Sequence, residues 1–128
     1  MVIVEILWHI KAGAESGFLE AWRTKFTVSD RSKLIGEYLC QPDETVEDIY
    51  KGWRVEQFGS PAQEVTAFVN VALWETFEAF LAEISKYIPK PGQSPPDWQV
   101  ARYRTVLQPI AWRRGDAMLK WGDSENTK

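Results

Sequence analysis

The stretch VTAFVNVALW, Val65 to Trp74, decides the reading of this chain. It is nearly continuous in apolar and β-favouring residues, and such a run is covered on both faces, which places it in the middle of a sheet. Side chains alternate along a strand, so Phe68, Asn70, Ala72 and Trp74 share one face while Val69, Val71 and Leu73 share the other. Directly after it, Thr76 can cap a helix and Glu78 suits the positive first turn. Phe77, Phe80, Leu81, Ile84 and Ile88 then trace an apolar stripe at helical spacing.

Working outward, Val2 to Lys11 alternates as a strand, with Val2, Val4, Ile6, Trp8 and Ile10 on one face and Glu5, His9 and Lys11 on the other, a mixed or solvent-side surface. Ala12-Gly13 breaks it, and from Ala14 the spacing changes to Phe18, Trp22 and Phe26, a helix ending near Ser29. Leu34 to Gln41 reads as a second strand in which Ile35 and Leu39 bracket polar Glu37, with Gly36 as a weak point. Residues 42–63 form an insertion with one short helix around Val46 to Trp53, closed by Gly59-Ser60-Pro61. After the second helix, Pro89, Pro91, Gly92, Pro95 and Pro96 make an extended connector, and Val100 to Leu107 resumes as a strand that Pro109 stops.

The order is strand, helix, strand, insertion, strand, helix, strand. The fold class is therefore α+β: a ferredoxin-like βαββαβ antiparallel sheet with both helices on one face. VEILWHI with its following helix faintly echoes VNVALWE with its own, as two βαβ halves would. The opposite face, carrying Val69, Val71 and Leu73, is left apolar and bare. A second copy of the chain is the simplest cover, and two such sheets facing each other make a dimeric α/β barrel.

The 128 residues suit one domain over 1–115, including the insertion, with a tail at 116–128 that frays at its polar end. Seven tryptophans suit a subunit interface or a pocket for a flat ligand, and equally a Trp-rich core. A net charge of −3 gives no general attraction to nucleic acid or anionic lipid. Lone Cys40 and lone His9 exclude an internal disulfide and leave no Cys/His metal cluster; no cofactor is implied, and a reducing cytoplasm fits. The N-terminus lacks the features of a signal peptide, and no apolar run approaches the roughly 18 residues of a membrane span.

VNVALWETFEAFLAEI resembles the central strand and second helix of the antibiotic biosynthesis monooxygenase family, and VEILWHIKAGAESGFLEAW is similar to its first strand and helix. Together they cover somewhat over a quarter of the chain. The insertion and the Pro-rich connector depart from the compact family pattern. The resemblance implies a cofactor-independent monooxygenase acting on a small aromatic or polyketide-like compound, in which Asn70 and Trp74 hold a phenolic substrate and its oxygenated intermediate. Asn70 would donate a hydrogen bond to the developing oxyanion. The plainer reading gives Asn70 a neighbouring backbone partner and makes Trp74 core.

Phe18, Trp22, Phe68, Asn70, Trp74 and Phe80 would bound the pocket. Phe80 falls near the position where the oxygenase pattern places a tyrosine, and it has no hydroxyl. Tyr103 on the last strand can substitute, and Arg102 or Arg104 can hold a phenolate or carboxylate by a charge-assisted bond; both lie on the other face from Tyr103, and the plainer reading makes them exposed rim residues. His9 is the only side chain whose ordinary pKa lies near neutrality, without an evident triad partner, and Cys40 reads as a small core residue. Haem-degrading relatives hold iron through a histidine on the second helix, and Glu75 to Ile88 contains none. The competing class is a non-catalytic ligand-binding or structural homodimer in which the same aromatics form only core.

Overall fold

The computed structural model describes residues 1–43, 45–47, 65–87 and 91–117. Strand β1 is Val2–Lys11, helix α1 Glu15–Thr24, strand β2 Leu34–Cys40 and strand β3 Val65–Trp74. Helix α2, Phe77–Ile84, runs into a 3-10 turn at Ser85–Tyr87, and strand β4 is Gln99–Leu107. The sheet order is β2-β3-β1-β4, and every pairing is antiparallel. This is the ferredoxin-like βαββαβ arrangement, with β3 and β1 inside and the two shorter strands at the edges.

The alternation of β3 sets the layers. Phe68, Asn70, Ala72 and Trp74 are buried beneath the helices, while Val69, Val71 and Leu73 are half-buried on the open face. On β1, Val4, Ile6, Trp8 and Ile10 join the same core, closed by Phe18 from α1 and Phe80 from α2. Phe18 is fully buried, its ring 4.9 Å from Phe68 and 5.1 Å from Trp8. Trp98, just before β4, stands edge-on to Phe18 at 5.5 Å. Aromatic rings at these separations combine area burial with favourable edge and tilted contacts, which makes this cluster the main cohesive element of the domain.

Thr76 caps α2 from an extended backbone, its side chain accepting from the Ala79 N–H at 3.2 Å. The stripe of α2, however, is rotated from the expected one. Phe77 and Leu81 are exposed, and Glu83 is buried beside Phe80. Glu83 lies inside because its carboxylate accepts from the backbone N–H groups of Ser29 and Asp30 and from the Lys86 ammonium, so the burial of charge is compensated. Helix α1 also stops earlier than Ser29: Thr27 and Val28 are β-branched and favour extended backbone. Phe26 still continues the stripe, its ring 5.4 Å from Trp8.

Two further expectations are corrected. Cys40 is exposed at the end of an edge strand instead of sitting in the core, and partial desolvation pushes its thiol pKa up. His9 lies on the open face as its alternation requires, yet it is only 5% exposed, because β1 is flanked by strands on both sides. Most of the 42–63 insertion, including most of its expected helix, and the end of the tail lie outside the described residues. Among the described residues no helix is long and apolar enough to cross a membrane.

Candidate functional site

Between the sheet and the helices lies a cavity of about 60 Å³ that opens to solvent. At roughly 10–15 Å³ per water, it has room for about four to six waters or a small ring system. All four strands contribute to its floor: Glu37 from β2, Asn70, Ala72 and Trp74 from β3, Ile6 and Trp8 from β1, and Arg102 from β4. Trp22 from α1, Phe80 and Glu83 from α2, and Tyr87 beyond it form the roof with Phe26 and Val28.

Asn70 is the centre of the polar part. It is 4% exposed, its Oδ1 accepts from the Trp22 indole N–H at 2.7 Å, and its amide nitrogen donates to Glu37 Oε2 at 3.2 Å. An indole nitrogen only donates, so it fixes which way the amide points. One N–H of the amide is thereby directed at Glu37, and the second has no acceptor among the described residues. The partners of Asn70 are thus side chains on two other elements, not the neighbouring backbone.

Glu37 was not among the residues expected at the site. Burial pushes its carboxyl pKa up, against the opposing pull of the Asn70 hydrogen bond and the Arg31 charge. It reaches the cavity because the β2–β3 register shifts between Leu34 and Gly36, so that Leu34 pairs with Trp74 but Glu37 with Ala72 and Leu39 with Asn70. That bulge turns Glu37 toward the helix layer, on the same side as Leu34.

Arg102 stands opposite. Its guanidinium lies 5.0 Å from the centroid of the Trp8 ring, and no carboxylate pairs with it among the described residues. Burial, with a smaller contribution from Arg104, pushes its pKa down to about 10, which leaves it cationic at neutral pH. The Trp8 indole N–H is buried without an acceptor among the described residues. Glu83 differs from Glu37: burial raises its pKa, but Lys86, the backbone N–H groups of Asp30 and Ser29 and the Ser29 hydroxyl together hold it below the ordinary carboxylate value. The Tyr87 hydroxyl donates to the Thr27 carbonyl.

Of the residues expected at the pocket, Trp22, Asn70, Trp74 and Phe80 are brought together on its walls. Phe18 and Phe68 lie in the packed core and not on the cavity surface. Tyr103 is on the other side of the sheet, because β1 pairs Trp8 with Arg102 and Leu7 with Tyr103, and alternation separates the two. Its half-exposed ring stands edge-on to His9 at 5.9 Å. Burial lowers the His9 pKa, and the imidazole is remote from the cavity walls. Among the described residues no three His, Cys, Asp or Glu side chains cluster as a metal site.

No family model matches the chain, and no curated protein matches it in sequence. Solved structures do match. A mutant of MhuD with two manganese protoporphyrin IX per active site superposes at TM-score 0.55 with 16% identity, over 90% of this chain and 100% of its own. A protein from Bacillus cereus described as an antibiotic biosynthesis monooxygenase superposes at 0.52 with 13% identity, over 91% and 98%. This chain has their fold. The haem degrader MhuD from Mycobacterium tuberculosis, with two haems in its active site, gives 0.50 and 15% identity over 88% and 99%. The antibiotic biosynthesis monooxygenase-like fold is thus established, while identities this low carry no reaction with them.

Haem itself does not fit the walls of this cavity. Among the described residues no His, Cys or Met lines it, and the hydroxyl of Tyr87 is committed to Thr27, so none of these offers a usual axial ligand.

Proposed function

We propose that the chain is a cofactor-independent monooxygenase for a small aromatic or polyketide-like compound, working as a homodimer in a reducing cytoplasm. The observation that carries this reading is an aromatic-walled cavity with one buried amide, Asn70, held in a single orientation by Trp22 and Glu37. In the overall reaction a phenol with an open ring carbon combines with dioxygen to give a quinone and water. One oxygen atom enters the ring as a carbonyl; the other leaves as water with the phenolic and ring hydrogens. The electron-rich phenolate supplies the electrons. The protein's part is to orient the ring between Trp22, Trp74 and Phe80, to exclude water, and to offer the second Asn70 N–H to the developing oxyanion.

The dimer reading rests on the open sheet face, where Val69, Val71 and Leu73 lie beside Leu7 and the exposed Tyr103 and Leu107. A second copy covering this face closes the barrel. The test of function is oxygen uptake with hydroquinone- and naphthol-type substrates in the absence of added metal or flavin. Asn70→Ala should lower kcat by about 10²–10³. Undiminished turnover in that variant would remove Asn70 from the mechanism. Binding of the same compounds without any oxygen uptake would support a non-catalytic ligand-binding dimer instead. The haem-degrading alternative draws only on the likeness of fold, and the cavity walls speak against it.

A further inference from the structure

The cavity has two unlike poles, and they lie at the two edges of the sheet. Glu37 is on β2 and Arg102 on β4, with β3 and β1 between them. Three interstrand spacings of about 4.8 Å separate the two backbones by roughly 14 Å. The Glu37 pole accepts: the one hydrogen bond to its carboxylate among the described residues comes from Asn70 to Oε2, which leaves Oε1 for a ligand. The Arg102 pole donates: a half-buried guanidinium without a carboxylate partner among the described residues lies over the Trp8 ring. Between the poles the walls are aromatic. A cavity with an acceptor from one edge strand, a guanidinium from the other and rings between them selects a flat ligand of complementary polarity.

From this geometry we propose that the site takes a hydroxyaryl acid or ketone, its phenolic hydroxyl on Glu37 and its carboxylate or carbonyl oxygen on the Arg102 guanidinium, and that Glu37 accepts the phenolic proton. The phenolic O–H bond breaks, the proton passes to Glu37 Oε1, and the electron pair stays on the phenolate oxygen; nothing is oxidised in this step. Burial favours it, since a carboxylate whose pKa is raised is a stronger base. Asn70 acts here as a positioning residue, because its amide holds Oε2 and so aims Oε1. The other charged or titratable groups that bear on Glu37 are Arg31 before β2, and Glu83, Tyr87 and Arg102 on the remaining walls. This assignment rests on the monooxygenase reading for the use made of the phenolate, but not for binding.

The experiment follows quenching of the cavity tryptophans by three probes, 2-naphthol, 2-naphthoate and 6-hydroxy-2-naphthoate, with the full chain and two variants. Glu37→Gln should weaken the two hydroxylated probes by roughly tenfold and leave 2-naphthoate unchanged, whereas Arg102→Gln should weaken the two carboxylates and spare 2-naphthol. Misfolding would weaken all three probes together, so the crossed pattern separates a lost contact from a lost fold. In the wild type, 2-naphthol affinity should rise with pH as Glu37 ionises, and the rise should vanish in Glu37→Gln. Equal effects of a variant on every probe, no effect on any, or no binding by the wild type would each overturn the proposal. Oxygen uptake is measured separately: its absence alongside the crossed pattern would refute the oxygenase reading and leave the two poles intact.

Discussion

Replacing Trp22 by Phe tests the link on which the site geometry depends. The substitution keeps a ring on α1 but removes the donor that reaches Asn70 Oδ1 at 2.7 Å. Asn70 is 4% exposed, so water from the cavity replaces that donor at best in part. An unsatisfied buried acceptor costs about 1–3 kcal/mol, and the lost indole atoms add about 1 kcal/mol through the space they leave. The sum, about 2–4 kcal/mol, is a large share of the stability of a domain this size and shifts Tm by roughly 3–5 °C per kcal/mol. Urea unfolding of the wild type, Trp22→Phe, Asn70→Ala and the double variant isolates the polar part. With Asn70 gone there is no carbonyl to strand, so Trp22→Phe should then cost only its packing term. A coupling of about 1–3 kcal/mol is expected across the cycle. If Trp22→Phe costs the same in both backgrounds to within about 0.5 kcal/mol, the hydrogen bond does not hold the amide, and the orientation assigned to Asn70 fails with it.

Glu83 should dominate the acid side of the stability profile: its folded pKa lies below its ordinary value, so its contribution is present above that value and is lost as pH falls through the folded pKa. Glu83→Gln should therefore flatten the decline of Tm on acidification and cost about 1–3 kcal/mol at neutral pH; parallel profiles for the two proteins would show that the Ser29–Asp30 contacts do not depend on the charge. On the open face, Val71→Glu should shift the chain from dimer to monomer by light scattering, because a paired copy would have to bury the new carboxylate. A wild type that is monomeric across the accessible concentrations would refute the dimer outright.

The strands and the layering were legible because periodicity records them directly. The alternation in Val65 to Trp74 assigns each side chain to the correct face, and the helices follow from Phe18-Trp22 and Phe80-Ile84. Four of the six expected pocket walls line the cavity: Asn70 and Trp74 through that alternation, Trp22 and Phe80 through the helical spacing. Phe18 and Phe68 were misjudged for a reason periodicity cannot show: the same face holds both cavity and core, and depth along it depends on how the helices cross. Arg102 and Glu83 were hidden by their charge. Each is admitted by a local arrangement, a tryptophan face in one case and a ring of donors in the other, that involves residues distant in sequence.

Glu37 is the most instructive omission. Leu34 and Leu39 both pack against the core although they are five residues apart, an odd spacing that a regular strand cannot place on one face. The irregularity at Gly36 reconciles them, and in doing so it turns the carboxylate inward. Without the bulge, strict alternation from Leu34 would present Gly36 and Tyr38 to the helices and send Glu37 to the open face. The acidic pole of the cavity is therefore the product of one register shift at a glycine and not of any motif. A substitution that straightened β2 would exchange a proton acceptor for a phenol ring without touching a single residue that contacts Asn70 from the helices.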